Sequence, residues 1–534
     1  MDSPVLPVSS SGANRQIARA AVTVMLAFAF GQLFGLAAKI LIASAFGTSA
    51  EADAFYAANQ LPDIIFQIMA GGALASAFVP TFTGLLARGE KEDAWRLASS
   101  ITNLLLLLVT VVTAIAFLLA PQVVRYLLAP GFAANPAQFD MTVRMLRIML
   151  PSALVFSLSG LLMGVLNSNQ IFLYPALAPA MYTIGQIFGV LVLAPIMGVY
   201  GLAWGALIGS GLHLVVQAPA LLRLKGRYFT GLGLHLAPVR EVGRLMAPRL
   251  IGVAAVQLNF WLNTLLASLM LTGSLADIKF AMPLMLVPEA VIAQAIAIAA
   301  MPTFSAQVAL GKEGEMRASL AAALRAVLLL SVPATLGLIL LRRQIVALIY
   351  QHGTFTAAST ELVAWVLLWY AVGLVGHSVI EVVYRAFYSL HDTRTPVILV
   401  TISMTLNLGF SLAFWRLFLA IGWAPQGGLA LANSLATFLE MAGALVLIRK
   451  RLSGLQGRSL GMGLGQAALA TGGMSLALIL WVARLGQSPV WLVTLGGVAI
   501  GGLIYLLFTL VLRVPEVFNL LAAIRRRAAR IVSF

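Results

Sequence analysis

The sequence contains no cysteine, only five histidines, and charged residues at just 10% of its length. Without cysteine there is no disulfide framework, no thiolate metal site and no thiol nucleophile. The histidines (His213, His235, His352, His377 and His391) show no metal-binding helix spacing such as HExxH. None of the lysines is followed by Ser or Thr, so the Walker A loop that cradles nucleotide phosphates and magnesium is missing. No motif for a cofactor, a metal or ATP is therefore present, no enzymatic activity is expected, and anything the protein moves it moves without hydrolysing ATP itself.

What fills the space is apolar. Hydrophobic residues make up 61% of the 534 residues, glycine not included, where soluble domains run near 45–50% with it. The mean hydropathy is +0.97. A bilayer core needs about 20 apolar residues per crossing. On that ruler fourteen spans are expected: 20–45, 54–86, 97–120, 142–166, 176–199, 202–222 and 250–271, then 280–304, 320–341, 362–390, 397–418, 429–448, 462–481 and 490–512. The fold class is an all-α polytopic membrane protein. Ala43-Ser44-Ala45 mimics a signal-peptidase site, but the apolar run before it is too long for a signal h-region. It reads as an uncleaved first helix. Two breaks, Leu128–Phe132 and Arg342-Arg343 with Tyr350–Gly353, read as short interfacial segments.

The net charge of +16 is spread over short loops, not gathered on one soluble face, which excludes nucleic acid. Most of the 34 Lys and Arg fall in alternate loops and in both tails, among them Arg15, Arg19, Arg88, Arg96, Arg227, Arg449–Arg451 and Arg525–Arg530. The positive-inside rule then puts both termini on the cytoplasmic side of the membrane, with the basic tail on anionic lipid.

An internal repeat organises the spans. Val79-Pro80-Thr81-Phe82-Thr83 returns as Met301-Pro302-Thr303-Phe304-Ser305, and Gly201-Leu202-Ala203 returns as Gly428-Leu429-Ala430. Spans 1–6 thus match spans 7–12 as two parallel six-helix repeats. The expected layout is an amino-terminal segment (1–19), an N-lobe (20–230), a C-lobe (231–455), and two further spans with the basic tail (456–534).

Ionisable groups inside the spans are costly, by at least about 2.5–3.5 kcal/mol on insertion scales, and point to function. Glu289 follows Pro288 deep in span 8, and Asp63 follows Pro62 in span 2. Gln67, the repeat equivalent of Glu289, shares a face with Asp63. Asn59, and Asn259 with Asn263 on span 7, extend the polar surface of a central cavity for substrate or a coupling ion, proton or sodium. Lys39 is the lysine inside span 1. Glu381 and Arg385, one turn apart on span 10 beside His377, form a candidate gating pair.

Several local runs resemble one family. They include Asp53-Ala54-Phe55, Leu61-Pro62, Ala77-Phe78-Val79-Pro80, Ala129-Pro130-Gly131-Phe132, Leu166-Asn167, Tyr350-Gln351-His352-Gly353-Thr354-Phe355, and Phe387-Tyr388-Ser389 with Asp392, Thr395 and Pro396. Over residues 20–450 the chain is similar to the MurJ (MviN) lipid II flippases of the multidrug/oligosaccharidyl-lipid/polysaccharide exporter superfamily. The resemblance implies a 6+6+2 helix plan, a cavity lined by spans 1, 2, 7 and 8, and a groove for a polyprenyl tail beside spans 13 and 14. It also implies transport of a polyprenyl-diphosphate-linked saccharide, a peptidoglycan precursor, with membrane lipids as the other partner. The family's cavity arginines correspond here to Gln32, Ala38, Phe66 and Pro283, and Lys39 and Met282 stand where the family has acids, while Asp53 is kept. The alternatives are an ion-coupled exporter of cationic or amphipathic molecules on the same fold, and a non-transporting membrane partner.

Overall fold

The computed structural model describes residues 31–69 and 72–518. The segment 1–19 with Arg15 and Arg19, the start of the first span, and the tail with Arg525–Arg530 lie outside the described residues. The described residues are 86% helix, with no strand among them. Among them, eleven helices are long and apolar enough to cross a membrane, or twelve if one bent pair counts as a single span.

Contacts divide the chain into two units, Met1–Gly273 and Ser274–Phe534. The first holds α1 (Gly31–Phe46), α2 (Ala50–Met69), α3 (Gly72–Ala87), α4 (Lys91–Leu118), α5 (Pro136–Ser168), α6 (Leu173–Met197), α7 (Tyr200–Arg223) and α8 (Ala237–Ser268). The second holds α9 (Ser274–Ala309), α10 (Glu313–Tyr350), α11 (Ala357–Ser389), α12 (Arg394–Ala420), α13 (Gln426–Arg451), α14 (Gly457–Leu485) and α15 (Val490–Val511). Helix α8 bends by 41° between Ala247 and Gly252, where the sequence places Pro248, a residue that removes a backbone donor. It packs on α2 and α3 of the first unit.

Each unit has its own apolar core. In the first, Phe78 and Phe82 of α3 meet Leu97 of α4, Leu161 and Val165 of α5, and Val239 and Val242 of α8. In the second, Phe304 of α9 meets Leu320, Leu324 and Val327 of α10, Val379 and Phe387 of α11, and Ile448 of α13. The outward surface is apolar too. Helix α4 buries Val109, Thr113 and Ala116 but exposes Leu107, Leu108, Val111, Ile115 and Leu118. Such continuous apolar exposure suits hydrocarbon and not water.

Small residues let helices touch. A Cβ on Gly205 would sit 2.6 Å from Gly189 Cα and 2.8 Å from the Gly185 carbonyl, and one on Gly185 would sit 2.2 Å from Gly209 Cα. The α6–α7 seam is therefore backbone against backbone, the small-xxx-small packing of membrane helices.

Two expectations need correcting. Arg342 and Arg343 are not in a segment separate from the preceding span: α10 runs unbroken through them to Tyr350. A continuous helix keeps its carbonyls bonded where the bilayer offers no partner. Tyr350 is likewise no surface residue; it is fully buried, its hydroxyl donating to the Phe280 carbonyl at 3.2 Å. The Leu128–Phe132 break is short irregular structure as expected, a π-turn at Val123–Leu128 followed by a 3-10 turn at Pro130–Ala134.

Asp392, in the loop before α12, accepts from the Thr395 amide at 3.0 Å, the Thr395 hydroxyl at 2.7 Å and the Arg394 amide at 3.1 Å. These bonds, the Thr395 amide first, hold its carboxyl below the usual range. The stabilisation is full above the ordinary carboxylate range and fades as pH falls through the lowered value. Asp392→Ala should cost about 1 kcal/mol of stability at neutral pH, with the gap to wild type closing in acid, as read by thermal unfolding in detergent. Gly205→Val should lower stability by roughly 1–3 kcal/mol; an unchanged melting temperature would contradict the α6–α7 contact.

Candidate functional site

In the first unit the polar groups of α2 are tied to two neighbouring helices. Asn59 Nδ2 donates to Asp63 Oδ2 at 2.6 Å. Tyr182 Oη on α6 donates to Asn59 Oδ1 at 3.4 Å, and Gln186 Nε2 donates to Tyr182 Oη at 3.1 Å. On the α8 side, Thr264 Oγ1 donates to Gln60 Oε1 at 3.1 Å, and Asn263 Nδ2 donates to Asn259 Oδ1 at 3.2 Å. The i and i+4 spacing of Asn59/Asp63 and of Asn259/Asn263 makes each pair neighbours on one helix face. Gln67 is exposed further along α2. Lys39 Nζ lies 5.8 Å from the Tyr56 ring centroid, a cation–π contact to α2.

Asp53 has a structural part. Its Oδ2 accepts from the Gly273 amide at 2.6 Å, and Gly273 adopts φ +93 against the Thr48 carbonyl. A left-handed turn there asks for glycine. The carboxylate therefore ties the end of the first unit to the start of α2. Similarly, the Gly131 amide donates to Ser268 Oγ at 3.3 Å, with Gly131 so close to the Ser268 carbonyl that a Cβ would fall 1.9 Å from it.

In the second unit Glu289 is 6% exposed and lies within electrostatic reach of Glu381. The helix around it is irregular: Pro283 and Pro288 precede it, and a π-turn over Ala290–Gln294 follows. Such wide turns release carbonyls and recur at functional sites. Glu381 Oε2 and Arg385 Nη2 are 3.3 Å apart, an ion pair without hydrogen-bond alignment. The proposed cavity acid is thus within electrostatic reach of the proposed gating pair through Glu381. His377 bonds elsewhere, to Asn433 Oδ1 at 3.2 Å and Thr437 Oγ1 at 3.3 Å. Pro62 lies inside α2, Pro80 inside α3 and Pro302 inside α9.

The positions of the missing arginines are also informative. Phe66 turns into the first unit, its ring 4.8 Å from Phe156 and 6.3 Å from His213. Ala38 is buried, and Pro283 lies inside α9.

Pattern reading of the sequence missed two clusters. His213 Nδ1 and Ser159 Oγ are 2.6 Å apart, and Gln217 Nε2 donates to both Ser159 Oγ (2.6 Å) and the His213 carbonyl (3.0 Å). Gln426 Nε2 donates at 3.0 Å to Asp277 Oδ2, both fully buried. The second had a signal: Ala276-Asp277 repeats Ala52-Asp53 in the other half of the chain.

Comparison with known proteins decides the family. The family described as Lipid II flippase MurJ matches residues 42–495. The chain belongs to the MurJ family. It is 27% identical over 436 residues to the probable lipid II flippase MurJ of Rhizobium tropici, covering 80% of each chain. It is 29% identical over 385 residues to the lipid II flippase MurJ of Burkholderia cenocepacia, covering 71% of this chain and 74% of that one. Among solved structures, a lipid II flippase MurJ in an inward closed conformation superposes with a TM-score of 0.78 at 23% identity, covering 92% and 98% of the two chains. An inward-facing multidrug resistance transporter of the MATE family gives 0.66 at 15% identity, covering 80% and 96%. The fold is shared across both groups, as expected for MurJ family members. A multi-pass membrane transporter of this family is not a catalytic enzyme.

If Asp53 anchors Gly273, Asp53→Ala leaves a buried amide unsatisfied and should cost about 1–3 kcal/mol, while Asp53→Asn, which still accepts, should cost less. Thermal unfolding of the two variants side by side checks the order.

Proposed function

We propose that the protein is a lipid II flippase, carrying the lipid-linked peptidoglycan precursor from the inner to the outer leaflet of a bacterial inner membrane by alternating access. The observation that carries the reading is the family match over residues 42–495, which runs through both units. It comes with fourteen spans in two parallel six-helix repeats plus two, both termini cytoplasmic. Equivalent positions support the repeats: Phe82 and Phe304 are both fully buried, and Asp53 and Asp277 both close the start of a matching helix with a hydrogen bond.

In this reading the headgroup enters a polar cavity while the polyprenyl chain stays in lipid beside α14 and α15. Lys39 meets the diphosphate, whose charge a dry site has to match with a cation. The amides Asn59, Gln67, Asn259 and Asn263 suit the hydroxyls and amides of a glycopeptide headgroup. Asp63 and Glu289 take up the coupling ion, and Glu381–Arg385 gates. Arg385 pairs with Glu381, so the charge of Glu289 is left for a proton or a sodium ion to remove. Membrane potential is worth about 2.3 kcal/mol per charge per 100 mV, enough to drive such a cycle. With Gln32, Ala38, Phe66 and Pro283 in place of arginines, the load on Lys39 is heavier than in relatives that have them.

The test is rescue of cells depleted of their lipid II flippase. Expression of this chain should restore growth and cell shape. Glu289→Gln should reduce rescue to background at an unchanged membrane level, and Lys39→Ala should do the same. Resistance to cationic drugs without rescue would overturn the reading, and full rescue by Glu289→Gln would remove that residue from the mechanism.

A further inference from the structure

The interface of α11 with α13 carries a second buried acid, Glu440, that the transport reading does not use. The two helices are joined by rungs at one constant sequence separation of 56, His377 to Asn433 and Tyr384 to Glu440. The rungs are seven residues apart, two helical turns, on the facing sides of the pair. At the second rung Tyr384 Oη donates to Glu440 Oε1 in a very short contact. Ser403 of α12 makes a hydrogen bond to the same carboxyl. Glu440 is 9% exposed and Ser403 3% exposed. On the same helices, Ala444, Ile448, Leu399 and Met441 belong to the apolar core of the second unit.

Among the described residues, no cation is paired with it. Helix α13 carries no other charge between Gln426 and Arg449, and α12 carries Arg394 and Arg416 only near its ends. On α11, Arg385 pairs with Glu381, His377 bonds Asn433 and Thr437, and Tyr388 stacks beside Tyr384. The start of α9 brings Asp277, which is held by Gln426 at the opposite end of α13 from Glu440. A carboxylate sealed among three helices without a cation is strongly disfavoured in hydrocarbon. With its own two oxygens and the two hydroxyls the site offers four side-chain oxygens, fewer than the six to eight that hard cations such as calcium or magnesium take, whereas a neutral carboxyl fits: Tyr384 donates to one oxygen and the Ser403 hydroxyl is a further hydrogen-bond partner.

We propose that Glu440 is a proton-binding site of the second unit, occupied while α11, α12 and α13 are packed together and vacated to water when α11 and α13 part. Release leaves a carboxylate on Glu440 and one proton in the solvent, and repacking takes one proton back. Helix α11 then carries ionisable groups on two sides, Glu381–Arg385 toward Glu289 and Tyr384 toward Glu440, so a single helix movement reports to both. The inference does not depend on which lipid is moved.

The experiment is infrared difference spectroscopy of the full-length protein in lipid bilayers, titrated through neutral pH with no substrate added. Wild type should show the C=O stretch of a protonated carboxyl. Glu440→Gln should lose that band, and Tyr384→Phe should shift its frequency, with helix content and melting behaviour retained. If Glu440→Gln does not fold, Tyr384→Phe and Ser403→Ala read the same band through its two partners. An identical band in wild type and Glu440→Gln, or a band that ignores both hydroxyl variants, would overturn the proposal. Because no transport is measured, failure here is distinct from failure of the flippase reading.

Discussion

Hydrocarbon supplies no hydrogen-bond partner, so a polar group inside this protein gains by pairing with another on the helices that surround it. That constraint explains the pairings in both units. Asp63 is held by Asn59, Gln60 by Thr264, His213 by Ser159, Asp277 by Gln426 and Glu440 by Tyr384. All but the first of these join two helices, and such interhelical bonds contribute only about 0.6–2 kcal/mol each, so they specify which helix faces meet more than they stabilise the fold. Stability comes from close packing, as at the α6–α7 glycine seam and the aromatic cores built on Phe82 and Phe304.

The same constraint explains where the helices are irregular. Proline inside α2, α3, α5, α9 and α10 and the π-turns after Phe188 and Glu289 free backbone groups at particular depths. Near Glu289 the broken ladder lies within electrostatic reach of Glu381, itself paired with Arg385. A helix that is both widened and charged at one point is suited to change its packing there, which regular apolar helices such as α15 are not.

Much of the architecture was legible in the sequence, because a bilayer imposes a length that apolar runs obey. The all-helical membrane class and the family follow from such runs and from short motifs. Helix ends were less legible. The α10 span was read as ending before Arg342, yet the helix continues to Tyr350, since a charged pair at a membrane edge breaks hydropathy without breaking hydrogen bonding. The site was legible residue by residue but not as an arrangement. Asn59–Asp63, Asn259–Asn263 and Glu381–Arg385 are one-turn pairs, visible in any single helix. The Ser159–His213–Gln217 and Tyr384–Glu440–Ser403 clusters join residues distant in sequence, for which no single-helix pattern exists. Phe66 was legible as a departure from the family, but only packing showed where its ring goes.

The central claim is that this chain passes a charged, sugar-bearing headgroup through the bilayer. The direct measurement uses vesicles containing the purified protein and lipid II labelled on its headgroup, with a membrane-impermeant quencher added outside. The account predicts that quenching climbs past the outer-leaflet share toward completion, while protein-free vesicles stay at that share. Quenching that stops at the same share in both kinds of vesicle would contradict it.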